Sequence, residues 1–366
     1  MEKLVKANLR RKEQAFIDVV SPLLQDVGIN PSLVQGIDVK VGRNQSAVLE
    51  VDGNQQYFVK LIQGSDGVAR FRRSKDFENW VINKSIKFAT PKLLAFSKDQ
   101  RALMFEFARC DTNLGEMLGD KFIDSVTAMK VAVAIGSLHT STVSISDNIE
   151  SDLPVLPPQF PGLISLDYFE NATIGERNLW RILQNDAELL EALDLLVDSR
   201  INFVPIHGDF RPDQVFFRAD EVVLLDFEEF RLGDPARDLG SFIGDLFYHK
   251  MSWIAVGAQG TDGRLTHESL LERGVDLLGQ VRPIIQSFWE KYCIFCCGAQ
   301  SETWKMTQPN LANRVTGYAG WHLFDRSLAR SALSGRLTAN DRALNGIGRN
   351  LIINSGMFAQ ELGLGE

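Results

Sequence analysis

The segment from Ile206 to Leu246 constrains the fold more than any other part of the chain. After its first residue it reads HGDFRPDQVFFRADEVVLLDFEEFRLGDPARDLGSFIGDL. The apolar run Phe203–Ile206 leads into His207-Gly208-Asp209. A turn then carries Arg211 and Gln214, and the apolar run VVLL ends on Asp226. Two carboxylates expected at the ends of neighbouring strands, with an amide between them, suit a site that holds a divalent cation and activates a hydroxyl. A transferring phosphoryl group needs positioning and charge neutralisation more than covalent chemistry. Phosphoryl transfer is therefore the leading reading of this pattern. Asp209 would take or orient the hydroxyl proton, while Gln214 and Asp226 would offer oxygens to Mg²⁺.

The rest of the chain divides by composition near residue 107. Apolar residues near a 3.6 spacing predict a helix over 1–30. Short strands follow at Ile37–Val41, Ala47–Val51 and Tyr57–Ile62, joined by GRNQS and DGNQQ turns of the kind hairpins use. A helix over 68–85 precedes strands Lys92–Phe96 and Ala102–Phe107. Beyond Leu114 the pattern is mainly helical, with helices over Val126–Thr140, 176–198, 265–299, 310–331 and 339–361. The Pro-rich stretch Leu153–Gly162 reads as a surface loop. The expected fold class is α+β: a β-rich lobe over 1–107 and a helical lobe over 108–366 that holds the segment 206–246.

At 366 residues the chain can bury two cores. Its net charge of -8 argues against a mainly electrostatic nucleic-acid binder. The charged N-terminus lacks the apolar core of a signal peptide, and no stretch approaches a membrane span. A cytoplasmic location is expected. Cys293, Cys296 and Cys297 form a Cys-x-x-Cys-Cys cluster without the second ligand pair a zinc site needs, so buried structural thiols are the favoured reading.

HGDFRPDQ, LLDFEEF and GDPARDL together resemble the motifs HGDxxxxN, strand-Asp and GDPxxDL of the aminoglycoside phosphotransferase and choline kinase-like family. The resemblance implies a two-lobed protein-kinase-like fold and transfer of the γ-phosphoryl group of Mg-ATP to a hydroxyl. It makes Asp209 the catalytic base and Asp226 the Mg²⁺ ligand. Asp234 and Asp238 become structural, Asp238 bracing the catalytic loop together with His207. The departure is Gln214, where most members carry Asn.

That fold also requires a nucleotide lobe. Lys60, inside the strand YFVKLI, either snorkels to solvent or reaches the α/β-phosphates. Glu78, with Asp76 as competitor, stands where the fold places the lysine's acidic partner. Gly42, Asn44 and Ser46 lie in the turn that would cover the phosphates, although it lacks GxGxxG. Glu106 and Ala108 would bond the adenine through their backbone at the hinge. Arg211 would either neutralise the transferring phosphate or pair with nearby acids. His139 reads as a buried structural residue.

The acceptor stays open at this level. Glu228, Glu229 and Asp245 could make an acidic cleft for cationic aminoglycosides, or simply be solvated. Sugars, amino alcohols and peptide Ser/Thr hydroxyls are the other classes. Arg314, Arg326, Arg330, Arg336, Arg342 and Arg349 lie in the C-terminal region Asn310–Asn350 and read first as a mostly solvated face, with a basic acceptor pocket as the sharper reading. The competing class is a catalytically weak or inactive nucleotide- or peptide-binding protein, such as a biosynthetic partner protein in peptide natural-product assembly. Gln214 would be its first degenerate position.

Overall fold

Alternating apolar and polar residues between 34 and 61 build an antiparallel ladder, because successive strand side chains point to opposite faces. In the computed structural model β1 (Val34–Val41), β2 (Gln45–Val51) and β3 (Gln55–Leu61) form a meander. β4 (Leu93–Ser97) and β5 (Ala102–Glu106) extend it to five strands in the order β1-β2-β3-β5-β4. The structure describes residues 2–51, 55–120, 123–144, 147, 149–151, 162, 164–201, 204–251 and 267–365. Side chains are described from residue 13 onward, apart from 41, 119, 120, 267–271 and 273. The Pro-rich stretch Leu153–Gly162, save its last residue, therefore lies outside the described residues, as do Phe203 and the first three residues of the DGNQQ turn.

The chain forms two compact units. The first comprises 1–84, 89–110 and 223–230. Within it, α1 (Glu2–Asp26) lays Phe16, Val20, Leu23 and Leu24 against Leu49, Val59, Leu61 and Met104 of the sheet. The other sheet face packs through Ile62 and Leu103 against Phe71 of α2 (Gly67–Val81), a helix that stops four residues before its expected end. Since Val59 and Leu61 face α1, the strand period turns Lys60 to the α2 side. Residues 223–230 belong here through aromatic packing: Phe227 stacks on Phe77 at 3.5 Å, and Phe230 meets both Phe77 and Trp80 at 5.2 Å. The expected division placed the whole of 206–246 in the helical part, whereas compactness puts Asp226 with the N-terminal sheet.

The second unit comprises 85–88, 111–222 and 231–366. Its elements begin with β6 (Thr112–Asn113), α3 (Leu114–Asp120), α4 (Ser125–His139), α5 (Leu166–Asn171), α6 (Ile174–Gln184) and α7 (Ala187–Asp198). Next come β7 (Val204–Ile206), β8 (Val215–Arg218), β9 (Glu221–Leu224), whose last two residues pass into the first unit, and β10 (Arg231–Gly233). α8 (Pro235–Met251), α9 (His267–Gly298), α10 (Glu302–Lys305), α11 (Leu311–Ser334), α12 (Ala339–Ile353) and α13 (Ser355–Glu361) complete it. Local chemistry sets several boundaries. Asp124 caps α4 through the Thr127 N–H, and Thr173 with Glu176 and Thr338 with Asp341 form capping boxes on α6 and α12. The helix expected over 339–361 breaks at Asn354 into α12 and α13.

β7 pairs with β10, while β9 lies in a separate sheet ordered β6-β8-β9. Asp209 and Asp226 thus follow strands of different sheets, not the neighbouring strands expected, because the chain returns after Phe230 to pair with β7. Phe210, Phe242 and Phe288 stack in series at the centre of the unit. The architecture is α+β, antiparallel at the N-terminal side and helical beyond. No helix among the described residues is long and apolar enough to cross a membrane.

The cysteine cluster lies within α9, where Cys296 is buried as expected but Cys293 is half-buried and Cys297 exposed. Cys296 is buried against Gly136 of α4, and burial pushes the Cys293 thiol up to about 12. Two glycines set the approach of α8 to α11. A Cβ on Gly240 would stand 2.5 Å from Tyr318 Cβ and 2.7 Å from the Val315 carbonyl. On Gly244 it would meet the Ala319 carbonyl at 2.7 Å. The Gly240→Ala variant should lose about 1–3 kcal/mol in denaturant unfolding despite the better helix propensity of alanine. Unchanged or increased stability would show that the helices yield without cost.

Candidate active site

On the first unit the site is built around Lys60. β3 pairs it with Ser46 and Leu103, and burial leaves its ammonium needing anionic partners. Asp226 Oδ1 lies 2.5 Å from Nζ and Glu228 Oε2 lies at 2.7 Å. Burial alone would lower the lysine pKa, but the two carboxylates raise it above its ordinary value. Asp226 has φ +66, a left-handed conformation that Asp adopts more readily than most residues. Its second oxygen, Oδ2, has no partner among the described residues.

Glu228 is held from three sides. Arg70 of α2 donates to Oε1 at 3.1 Å, and Asn44 Nδ2 donates to Oε2 at 3.0 Å beside Lys60. Burial would push this carboxyl up, yet Lys60 and Arg70 bring it down to about 2. Arg70 is fully buried. It also bonds to the Asn44 side-chain oxygen at 2.9 Å and to the Gln63 carbonyl. Arg73 donates to the Glu228 carbonyl at 2.8 Å and pairs with Glu229 at 3.0 Å.

These contacts sort the expected nucleotide residues. Asn44 spends both ends of its amide on Glu228, Arg70 and the Gln63 N–H, so it fixes the β1–β2 turn instead of presenting a free side chain. Gly42 closes that turn by donating to the Asn44 carbonyl at 3.0 Å, and Ser46, the second residue of β2, lies opposite Lys60. Glu106 ends β5 with its N–H on the Lys92 carbonyl. The N–H of Ala108, just beyond the strand, has no partner among the described residues.

Glu78 does not meet Lys60. Its carboxylate accepts only the Leu93 N–H, at 3.4 Å, and has no ion-pair partner among the described residues. Burial raises its pKa to about 7, against that one hydrogen bond. The physical reason is that α2 points two arginines, not an acid, at the charged cluster, and Glu228 supplies the anion from the Asp226 segment. Sequence spacing gave no sign of this. The signal that was available is the repeated acid in DFEEF beside two arginines spaced three apart in ARFRRS.

On the second unit Asp238 organises the turn after β7. Its buried carboxylate accepts the N–H of His207 at 2.7 Å and of Gly208 at 2.8 Å, and faces His139 Nε2 at 3.1 Å. Burial opposes its charge, but His139 and the His207 turn hold the carboxyl below the usual range. Gly208 has φ +82, which lets two successive N–H groups converge and turns Asp209 outward. Asp209 is 40% exposed. One of its oxygens pairs with Arg211 at 3.0 Å, and the other has no partner among the described residues. Arg211 also pairs with Asp213 at 3.2 Å, so of its two expected roles the structure displays the pairing with nearby acids. Gln214 closes the 3-10 turn Pro212–Gln214, and its side-chain amide has no hydrogen-bond partner among the described residues.

The remaining charges are largely spoken for. Asp245 is buried between His322 at 2.8 Å, His249 at 3.3 Å and Arg326 at 3.3 Å. Glu228, Glu229 and Asp245 therefore do not form the acidic cleft that was one expectation, since each faces cations or histidines. Arg314 is buried on Asp234 at 2.7 Å, Arg330 pairs with Asp341 at 3.3 Å, and Arg349 pairs with Asp186 at 2.5 Å. These arginines serve packing and helix ends, not a basic pocket. Arg326 and Arg330 additionally lie over the Tyr248 ring, at 4.9 and 5.0 Å.

A model described as "Phosphotransferase enzyme family" matches residues 38–269. Among curated proteins, a methylthioribose kinase of Bacillus pumilus (strain SAFR-032) is 22% identical over 162 residues, which are 44% of this chain and 38% of that enzyme. The chain thus matches well under half the length of that relative. A choline kinase structure from Cryptosporidium parvum Iowa II superposes with TM-score 0.50 at 12% identity, over 96% of this chain and 97% of that one. The GDP complex of an aminoglycoside 2'-phosphotransferase-IIIa mutant gives 0.51 at 13% identity, over 94% and 98%. At such identities the two structures establish a shared fold.

The isolated carboxyl of Glu78 has a measurable consequence. Its folded pKa lies above the unfolded value, so its contribution favours folding at acid pH and is lost as pH rises from about 4.5 through about 7. Replacing it by Gln should stabilise the protein at pH 8 by about 1–2 kcal/mol, after discounting for partial exposure, with little change near pH 4.5. Equal effects at both pH values in thermal or denaturant unfolding would rule this origin out.

Proposed function

Because the chain belongs to the phosphotransferase enzyme family, we propose that it transfers the γ-phosphoryl group of ATP to a hydroxyl of a small molecule or of a peptide Ser/Thr. The observation that carries this reading is Lys60, a buried lysine held ready by Asp226 and Glu228 at the end of an apolar strand. A solvated lysine would need neither partner. Lys60 is assigned the α/β-phosphates, the backbone of Gly42, Asn44 and Ser46 the phosphate cover, and the backbone of Glu106 and Ala108 the adenine.

Asp209 is assigned the acceptor hydroxyl. Its unpartnered oxygen can accept the hydroxyl proton, and its partner Arg211 offers positive charge to a transferring phosphoryl group. Asp226 keeps one oxygen unpartnered, and Gln214 keeps its amide oxygen unpartnered. This hard-oxygen donor chemistry fits Mg²⁺, and those two positions of the motif are assigned to it. Mg²⁺ bound there would neutralise phosphate charge. The named relatives act on, or are named for, methylthioribose, choline and aminoglycosides, which favours a small-molecule hydroxyl over a peptide.

Incubation with labelled ATP and a panel of amino alcohols, sugars, aminoglycosides and Ser/Thr peptides tests the reading. Transfer to at least one class is expected. Asp209→Asn should slow it by roughly 10²–10⁴-fold while ATP affinity stays within about twofold. ATP binding without transfer to any acceptor would favour the weak or inactive binding protein instead, with Gln214 as the place to look first.

A further inference from the structure

We infer that Glu228, clamped by Arg70, is the residue that positions Lys60 on the nucleotide phosphates, in place of an acid on α2. The inference rests on the phosphotransferase reading and deepens it, since it names which side chain sets the lysine's aim.

The geometry is specific. Lys60 Nζ lies 2.7 Å from Glu228 Oε2, and the opposite oxygen of the same carboxylate is taken by Arg70 at 3.1 Å. Asn44 Nδ2 adds a third contact at 3.0 Å. A carboxylate gripped on both oxygens has little freedom, and a short, buried, charge-assisted bond transfers that fixity to the lysine. Asp226 contacts the same ammonium, but it is 34% exposed and keeps one oxygen open, whereas Glu228 is 11% exposed with both oxygens engaged. Glu78, the acid that spacing on α2 selects for this purpose, bonds to a backbone N–H and to no cation among the described residues.

The arrangement reverses the polarity of α2. The helix contributes Arg70 and Arg73, and the acid comes from the strand-following segment Asp226–Glu229. One carboxylate therefore ties together α2, the β1–β2 turn through Asn44, and the lysine. Glu228 is a positioning residue in this account, because it acts through Lys60 and not on the phosphates.

Equilibrium binding of ATP to the full chain, measured once in EDTA and once with Mg²⁺, tests the inference. Glu228→Gln should weaken ATP roughly ten- to hundredfold in both buffers, the range one charge-assisted hydrogen bond contributes. Glu78→Gln should stay within about twofold. A loss for Glu228→Gln that appears only with Mg²⁺ would make Glu228 a metal ligand and overturn the inference, as would an equal loss for Glu78→Gln. Arg70→Met combined with Glu228→Gln removes both buried charges and keeps the test alive if the single variant fails to fold. That double variant should show the same loss in EDTA, and wild-type affinity would refute the proposal.

Acylation of Lys60 by an amine-specific reagent, followed by mass spectrometry without nucleotide, supplies a readout independent of ATP. Labelling should rise several-fold in Glu228→Gln and not in Glu78→Gln, and unchanged labelling overturns the assignment. Failure of the unaltered protein to bind ATP would instead overturn the phosphotransferase reading, and the labelling result would still decide whether Glu228 holds the lysine.

Discussion

A single buried carboxylate, that of Asp238, sets the geometry on which the second unit's chemistry rests. Removing a charge from water costs several kcal/mol unless strong donors replace the solvent. Here two consecutive backbone N–H groups and the His139 ring do so. The backbone can turn both N–H groups inward only because Gly208 takes a positive φ. His139 is fixed in turn by the Tyr292 hydroxyl at 2.9 Å, and Trp304 donates to that hydroxyl at 3.1 Å. The position of Asp209 is thus specified from α4, α8, α9 and α10 together, although Asp209 itself makes few contacts.

The first unit uses the same device with opposite contents. There the buried groups are cations, Lys60 and Arg70, and Glu228 is the anion that makes their burial tolerable. Stacking of Phe227 on Phe77 supplies the apolar surroundings in which such charges interact strongly. The two adjacent side chains of the Asp226–Glu229 segment therefore divide their labour: Phe227 anchors the segment to α2, and Glu228 orders the charges.

Much of this was legible in the sequence because the relevant signals are local. HGD, GDPARDL and the apolar run ending on Asp226 carried the family resemblance that implied the bracing role of Asp238, and periodicity located the meander and most helices. Boundaries shifted where turns compete with helix ends, as at Val81 and Asn354. The partner of Lys60 was not legible. Spacing along one helix selects Glu78, but pairing depends on which residues the segment after Asp226 brings to the sheet, and that is a long-range choice made by aromatic packing. The arginines of α11 and α12 were half legible: the helical stripe was visible, while Asp234 and Asp186, the partners of Arg314 and Arg349, come from distant elements. The strand pairing of β7 with β10 was likewise hidden, since a three-residue strand carries almost no periodicity.

The burial of Arg70 has a consequence for populations. In enzymes of this chemistry the helix that faces the lysine is a common point of control, because shifting it disables the phosphate grip. Here such a shift would part a fully buried guanidinium from Glu228, leaving it Asp66 at the start of the same helix, and would leave Glu228 without its second cation. Breaking a buried pair costs about 3–5 kcal/mol. At equilibrium that restricts a displaced α2 to roughly one molecule in a few hundred to a few thousand. The helix is therefore held in one arrangement by its own electrostatics.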